Sequence, residues 1–390
     1  SLGFVEVGGR DDDRHPLGIL LLGFVLLAAS TILLAACGSD ESGGSAAQKI
    51  AVEITDEGCQ PTDLKAKSGP ATFTVTNTAS DVNNEFEVLD GALIVGEREN
   101  LVAGLSGDVS VNLDPGTYDI VCGNPGNREP TGRLVVTGGN VAATTNPGLA
   151  RAVDEYADFV VEQSNILERR ASAFVAAVKA GNVPLAKRLY ETSRIPYEKI
   201  EPVAESFGTL DPAIDAREND IAQGDPWTGY HPLEKALWAT GLTAADDRLA
   251  DQLLVNIKRL QKRVKANTYD PVQLANGAVE LLNEVSQSKV TGEEERYSHI
   301  DLTTFKANVD GAKEAFDLLE PELKKVDPDL AREIEQRFND LYAALDRYQV
   351  KGDVYENYSK VNQQERRELS QKVDALAQPL ALMGGQIVTQ

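Results

Sequence analysis

The feature that most constrains this chain is a change of hydrophobic period close to residue 140. Before it, apolar side chains alternate with polar ones, the two-residue period of a strand with one face buried. Ile50, Val52 and Ile54 set the pattern, and Phe73 with Val75, Phe86 with Val88, Val109 with Val111, Tyr118 with Ile120 and Leu134 with Val136 repeat it. Turn signals lie between: Ser68-Gly69-Pro70, Asp90-Gly91, Asp114-Pro115-Gly116 and Asn124-Pro125-Gly126. After it the period is helical. Val153, Tyr156, Val160 and Leu167 recur at helical spacing, as do Leu249, Leu253, Ile257 and Leu260, and then Ile334, Phe338, Leu341 and Leu345. The chain must therefore build two cores by different rules. Short strands at this spacing predict an antiparallel β-sandwich over 49–139. Residues 140–150 read as a linker. Residues 151–390 predict an all-α helical bundle with one or two helices beyond a four-helix core.

The N-terminus reads as a targeting segment. An almost wholly apolar run from Leu17 to Ala36 follows Arg10 and Arg14 and ends Leu34-Ala35-Ala36-Cys37. That ending resembles a bacterial lipobox. The expectation is a lipoprotein signal peptide over 1–36, cleaved so that Cys37 bears the lipid, and a Gly/Ser-rich tether over 37–48. The chain then works outside the cytoplasmic membrane, in the extracytoplasmic or periplasmic space, anchored through its lipid. A retained membrane anchor matches the length of about 20 residues, but not a cysteine placed where cleavage falls.

The formal charge of -23 repels nucleic acid and anionic lipid and attracts cations. Of three cysteines, lipidation of Cys37 leaves Cys59 and Cys122. In an oxidising compartment their default is a disulfide, with a sulfur-containing metal site as the alternative.

Several chemistries lack their motif. There is no Gly-x-x-x-x-Gly-Lys, Gly-x-Ser-x-Gly, His-Glu-x-x-His or Cys-x-x-Cys, and beyond the leader only His231 and His299 remain. Three candidates are left. In Gly229-Tyr230-His231-Pro232-Leu233-Glu234, an imidazole and a carboxylate three apart share a helix face and suit one metal ion. The competing reading makes His231 a helix cap and Glu234 a capping-box acid. Upstream, Glu198 and Glu201, with Asp211, Asp215, Glu218 and Asp220 beyond them, offer hard oxygen ligands, and the competing reading is a solvated acidic face. In the sandwich, Cys59, Glu85, Glu87, Glu97, Glu99 and Cys122 stand without any His or Met, so a blue-copper site is ruled out. Glu293-Glu294-Glu295 reads as a solvated acidic face, and His299 and Asp301 as helix-start residues.

Taken together, certain stretches resemble the EfeO family of extracytoplasmic iron-uptake components. These are Cys59-Gln60-Pro61, Gly96-Glu97-Arg98-Glu99-Asn100, 115–123, Tyr197-Glu198-Lys199-Ile200-Glu201-Pro202, Ile214-Asp215-Ala216-Arg217-Glu218, 229–238 and 288–299. The resemblance implies a cupredoxin-like domain followed by an imelysin-like, peptidase M75 domain. It implies iron, as Fe3+ or Fe2+, as the bound metal, with zinc or copper as alternatives. His231 and Glu234 would be ligands, completed by Asp215, Glu198 and Glu201. A second site would use Glu85 and Glu97 with the cysteine pair. The implied partners are an EfeU-like iron permease and an EfeB-like haem peroxidase, and no turnover is expected of the chain itself. The rival readings are a metal-dependent peptidase and a purely structural adhesion module.

Overall fold

The computed structural model describes residues 47–79, 83–91, 93–99, 101–124, 129–139, 146–221, 224–287 and 291–387. Cys37, its leader and nearly all of the tether lie outside them, as do Asn100 and residues 288–290 of the motifs above. Among the described residues no helix is long and apolar enough to cross a membrane.

Among the described residues nine strands form the sandwich: β1 (Gln48–Thr55), β2 (Gly58–Gln60), β3 (Asp63–Lys67), β4 (Gly69–Asn77), β5 (Glu85–Asp90), β6 (Leu93–Arg98), β7 (Ser106–Leu113), β8 (Gly116–Gly123) and β9 (Gly132–Thr137). One sheet runs β2-β1-β4-β7 and the other β3-β9-β8-β5-β6. The sheets are not antiparallel throughout, as the sequence reading expected. β1 runs parallel to β4, with Val52 beside Val75, and β3 runs parallel to β9. Connectivity is the cause. After the β1–β2 hairpin the chain crosses to the other sheet as β3 and returns as β4, so it re-enters running with β1. Alternation along single strands carries no trace of that route.

The interior holds the expected apolar set, with Val52, Ile54, Phe73, Val75, Phe86, Val88, Val111 and Ile120 all buried. Each such side chain contributes roughly 1.5–3 kcal/mol by leaving water. Cys59 on β2 and Cys122 on β8 are joined in a disulfide that ties one sheet to the other.

The helices are α1 (Pro147–Lys179), α2 (Val183–Glu198), α3 (Leu210–Asp215), α4 (Tyr230–Lys235), α5 (Ala244–Val264), α6 (Pro271–Gln287), α7 (Asp301–Val326), α8 (Pro328–Leu345) and α9 (Gln363–Ile387). Helix α1 begins inside the stretch read as linker, because Asn146 Oδ1 accepts from the Gly148 and Leu149 amides at 2.8 and 3.3 Å and Pro147 follows. Prolines 147, 184, 271 and 328 all stand in the first turn of a helix. They start helices rather than break them, so seven of the helices described reach 16 residues or more, beyond the five or six expected. Nor is this half all-α: a ribbon of β10 (Gln349–Lys351) and β11 (Val354–Tyr355) separates α8 from α9. Helix α1 packs on α2, α5 and α7, and α6 on α7 and α9.

Strand β5 shows how the halves meet. Phe86 and Val88 face the sandwich interior, yet Glu85, Glu87 and Leu89 on the opposite face are buried as well. That outer face is covered, since β6 beside it packs on α6 and the 201–207 turn.

Candidate metal centre

Four segments converge on one buried cluster. The last turn of α2 presents Arg194 and Glu198, four apart and on one face. Helix α3 ends at Asp215. Helix α4 carries His231 and Glu234. The segment from Glu294 to Asp301 closes the cluster. Gly229 makes the approach of α4 possible. Its φ is +101°, and a Cβ there would run into the carbonyl of Ile214. Without a side chain, the start of α4 lies against the end of α3, and His231 meets Asp215.

His231 is 2 % exposed. Its Nδ1 lies 3.2 Å from Glu234 Oε2. Glu234 Oε1 accepts from the amides of Tyr297 and Ser298 at 2.9 and 2.7 Å. The capping-box reading therefore fails. Glu234 binds backbone amides of a distant loop, and Gly229, not His231, stands at the helix cap. His231 Nε2 has no hydrogen-bond partner and faces Asp215 Oδ1 at 3.8 Å and Glu294 Oε1 at 3.9 Å. Among the described residues two groups each bring their ligand atoms within 4.8 Å of one another: Asp215, His231 and Glu294, and His231, Glu234 and Glu295. With Nδ1 donating to Glu234, Nε2 presents its lone pair to Asp215 and Glu294, as metal-binding imidazoles do.

The cluster is rich in negative charge. Arg194 is fully buried and its guanidinium pairs with Glu198, Asp215, Glu294 and Glu295. Arg217 Nη1 lies 3.2 Å from Glu294 Oε2. Burial pushes the Glu295 carboxyl well up, and Glu234, Asp301 and Glu294 add to the rise against Arg194. Burial likewise raises Asp301 to about 7. Burial also opposes ionisation of Glu234, but the bonds from His231 and the two amides outweigh it, and its pKa falls.

The sequence profile of the imelysin, or peptidase M75, family matches residues 152–383. The chain belongs to the imelysin family. A profile of cupredoxin-like domains matches residues 24–136. The iron uptake system component EfeO of Escherichia coli O1:K1 / APEC is 39 % identical over 344 residues, covering 86 % of this chain and 91 % of that protein. The proteins of the same name from Escherichia coli strain K12 and Shigella flexneri are 38 % identical over the same length.

Within the imelysin domain the acids read from the sequence part company. Asp215 joins His231. Glu198 lies behind Arg194, with Oε2 accepting from Asn308 Nδ2 at 3.0 Å, and Glu201 bonds that same amide. Neither belongs to the two groups of ligand atoms found among the described residues. Glu294 and Glu295, read as a solvated face, are 3 % and 0 % exposed. Asp301 does start α7, as expected, but it is buried against the cluster.

In the cupredoxin-like domain the implied second site is divided by the pleat. Cys122 pairs with Phe86 and lies with Cys59 in the sandwich interior. Glu85 and Glu87 flank Phe86 and so point to the opposite face, and Glu97 pairs with Glu87 there. One ion cannot take both the sulfurs, already joined, and these acids.

Between the domains lies a cavity of about 440 Å³. Glu97 of β6 and Glu99 just beyond that strand line it, with Glu280 and Glu284 from α6, and Asp211, Asp215, Asp220 and Glu294 from around the cluster. Among the described residues, Arg217 is the single cation in its wall.

Proposed function

We propose that this chain binds iron outside the membrane, as part of an uptake system of the EfeUOB kind, and passes it to an EfeU-like permease. The ion is held by His231, Asp215 and Glu294. The observation that carries this reading is His231 Nε2, a buried ring nitrogen without a hydrogen bond that faces two carboxylates while Glu234 holds the other nitrogen. Two carboxylates and an imidazole form a hard donor set that favours Fe3+ or Fe2+, and secondarily zinc, over Cu(I). Glu234 orients the ring rather than binding the ion, because it meets Nδ1 and not the unpartnered Nε2. The iron-uptake names of the relatives support the reading. So does the acidic cavity, which raises the local concentration of cations where it reaches Asp215 and Glu294. An EfeB-like haem peroxidase acts beside the permease, and a lipidated Cys37 keeps the chain at the membrane's outer face.

Iron titration by calorimetry tests the site. Wild type binds, and His231→Ala binds at least a hundredfold more weakly at unchanged helix content. Equal binding by the two proteins overturns the assignment. Mass spectrometry of the mature N-terminus reads the lipid on Cys37 directly. Peptide cleavage abolished by a chelator would instead favour the peptidase reading that the family's other name carries.

A further inference from the structure

We infer that Arg194 is a resident counter-cation, which competes with the metal cargo for its carboxylates and so sets a ceiling on how tightly the ion is held. This rests on the reading of His231, Asp215 and Glu294 as the metal site. The guanidinium is fully buried and pairs with four carboxylates. Three of these, Asp215, Glu294 and Glu295, belong to the two groups that could hold a metal with His231. Only Glu198 does not, and it anchors Arg194 from behind while Asn308 Nδ2 holds its second oxygen at 3.0 Å. The ring of Tyr230 lies 5.5 Å from the guanidinium and closes its remaining side.

The arrangement has two effects. In the metal-free chain, Arg194 supplies the positive charge that buried carboxylates need, so the site stays assembled without cargo. When an ion arrives, it must share Asp215 and Glu294 with a fixed positive charge in a poorly screened interior, and the two cations repel. Packed on all sides, Arg194 cannot swing away to relieve this. A carrier that must give up its ion gains release from such a neighbour.

Anaerobic Fe2+ titration of wild type, Arg194→Gln and Arg194→Lys decides it. Arg194→Gln binds Fe2+ at least tenfold more tightly than wild type, a difference of about 1.4 kcal/mol. Arg194→Lys falls between, because an ammonium cannot serve four carboxylates at once. A folded Arg194→Gln that binds no more tightly than wild type overturns the inference, since a merely structural arginine would weaken the site when lost. If Arg194→Gln folds only when Fe2+ is added, followed by circular dichroism, the affinity of Arg194→Lys decides, because any ligand of the folded state rescues a destabilised chain. If it stays unfolded at saturating Fe2+, Arg194→Lys decides: tighter binding than wild type supports the inference, and equal or weaker binding, or failure to fold, sinks it. Absence of Fe2+ binding by wild type is a different failure, that of the metal site itself.

Discussion

Glu234 clamps His231 to a loop more than sixty residues away in sequence: one carboxylate oxygen lies 3.2 Å from the ring's Nδ1, and the other accepts the amides of Tyr297 and Ser298. The contact fixes both the plane of the imidazole and the nitrogen that carries its proton.

Glu234→Gln preserves the shape of this clamp and reverses its chemistry. The amide oxygen still accepts from the loop, but the amide nitrogen must donate to Nδ1, which moves the ring proton to Nε2 and removes the lone pair facing Asp215 and Glu294. Metal affinity is expected to drop about 10–100-fold, with near-native thermal stability. An isotherm matching wild type would show that Glu234 does not set the tautomer.

Gly229→Ala attacks the same site through the backbone. At φ +101° an alanine is strained, and its methyl meets the Ile214 carbonyl, so α4 must retreat from the end of α3. We expect a loss of about 1–3 kcal/mol in denaturant unfolding and weaker iron binding together. Loss of stability with binding intact would separate the position of α4 from the metal centre.

Asp301 makes stability depend on pH. Its carboxyl titrates ordinarily at 3.8 and in the folded chain at about 7, chiefly through burial, with Glu294 and Glu234 adding to it. Between those values the folded chain holds a proton that the unfolded chain has released. Stability therefore falls as pH rises through this window, and the contribution is gone above about 7. The denaturation midpoint of wild type is expected to drop from pH 5 to pH 8, and that of Asp301→Asn to drop less. Parallel curves for the two proteins would remove Asp301 from the account.

Reduction of Cys59–Cys122 acts on the sandwich alone. The bond closes a loop with a sequence separation of 63 residues, so its loss is expected to cost about 4 kcal/mol of stability by chain entropy. Metal binding at His231 should persist under mild reductant. Iron released on reduction, with the helices intact by circular dichroism, would contradict the separation of the sulfurs from the site.

Much of this was legible in the sequence because it is written in local periods. The strands, the long helices, and the shared face of His231 and Glu234 all follow from neighbours two, three or four residues apart. Asp215 entered as a ligand through family resemblance and does reach His231. What escaped depends on distant segments. Arg194 sits on an ordinary helical face until α3 and the 294–301 segment arrive around it. Glu294 and Glu295 lie in a stretch without strand or long-helix period, where three acids in a row look like solvent-facing residues. The parallel strand pairs depend on the crossing through β3, and the division of Cys122 from Glu85 and Glu97 on a register that only pairing reveals.

The doubly buried β5 strand bears on what can be taken apart. Leu89, Ile94 and Val121 form a small apolar group on the sandwich's outer face, with Glu87 and Glu97 on the same surface. A chain cut within 140–145 would strip the helical cover from it. The freed sandwich would expose a greasy patch rimmed with carboxylates, prone to self-association as its pH falls, and a fragment expressed alone would report on that bare surface rather than on the intact protein.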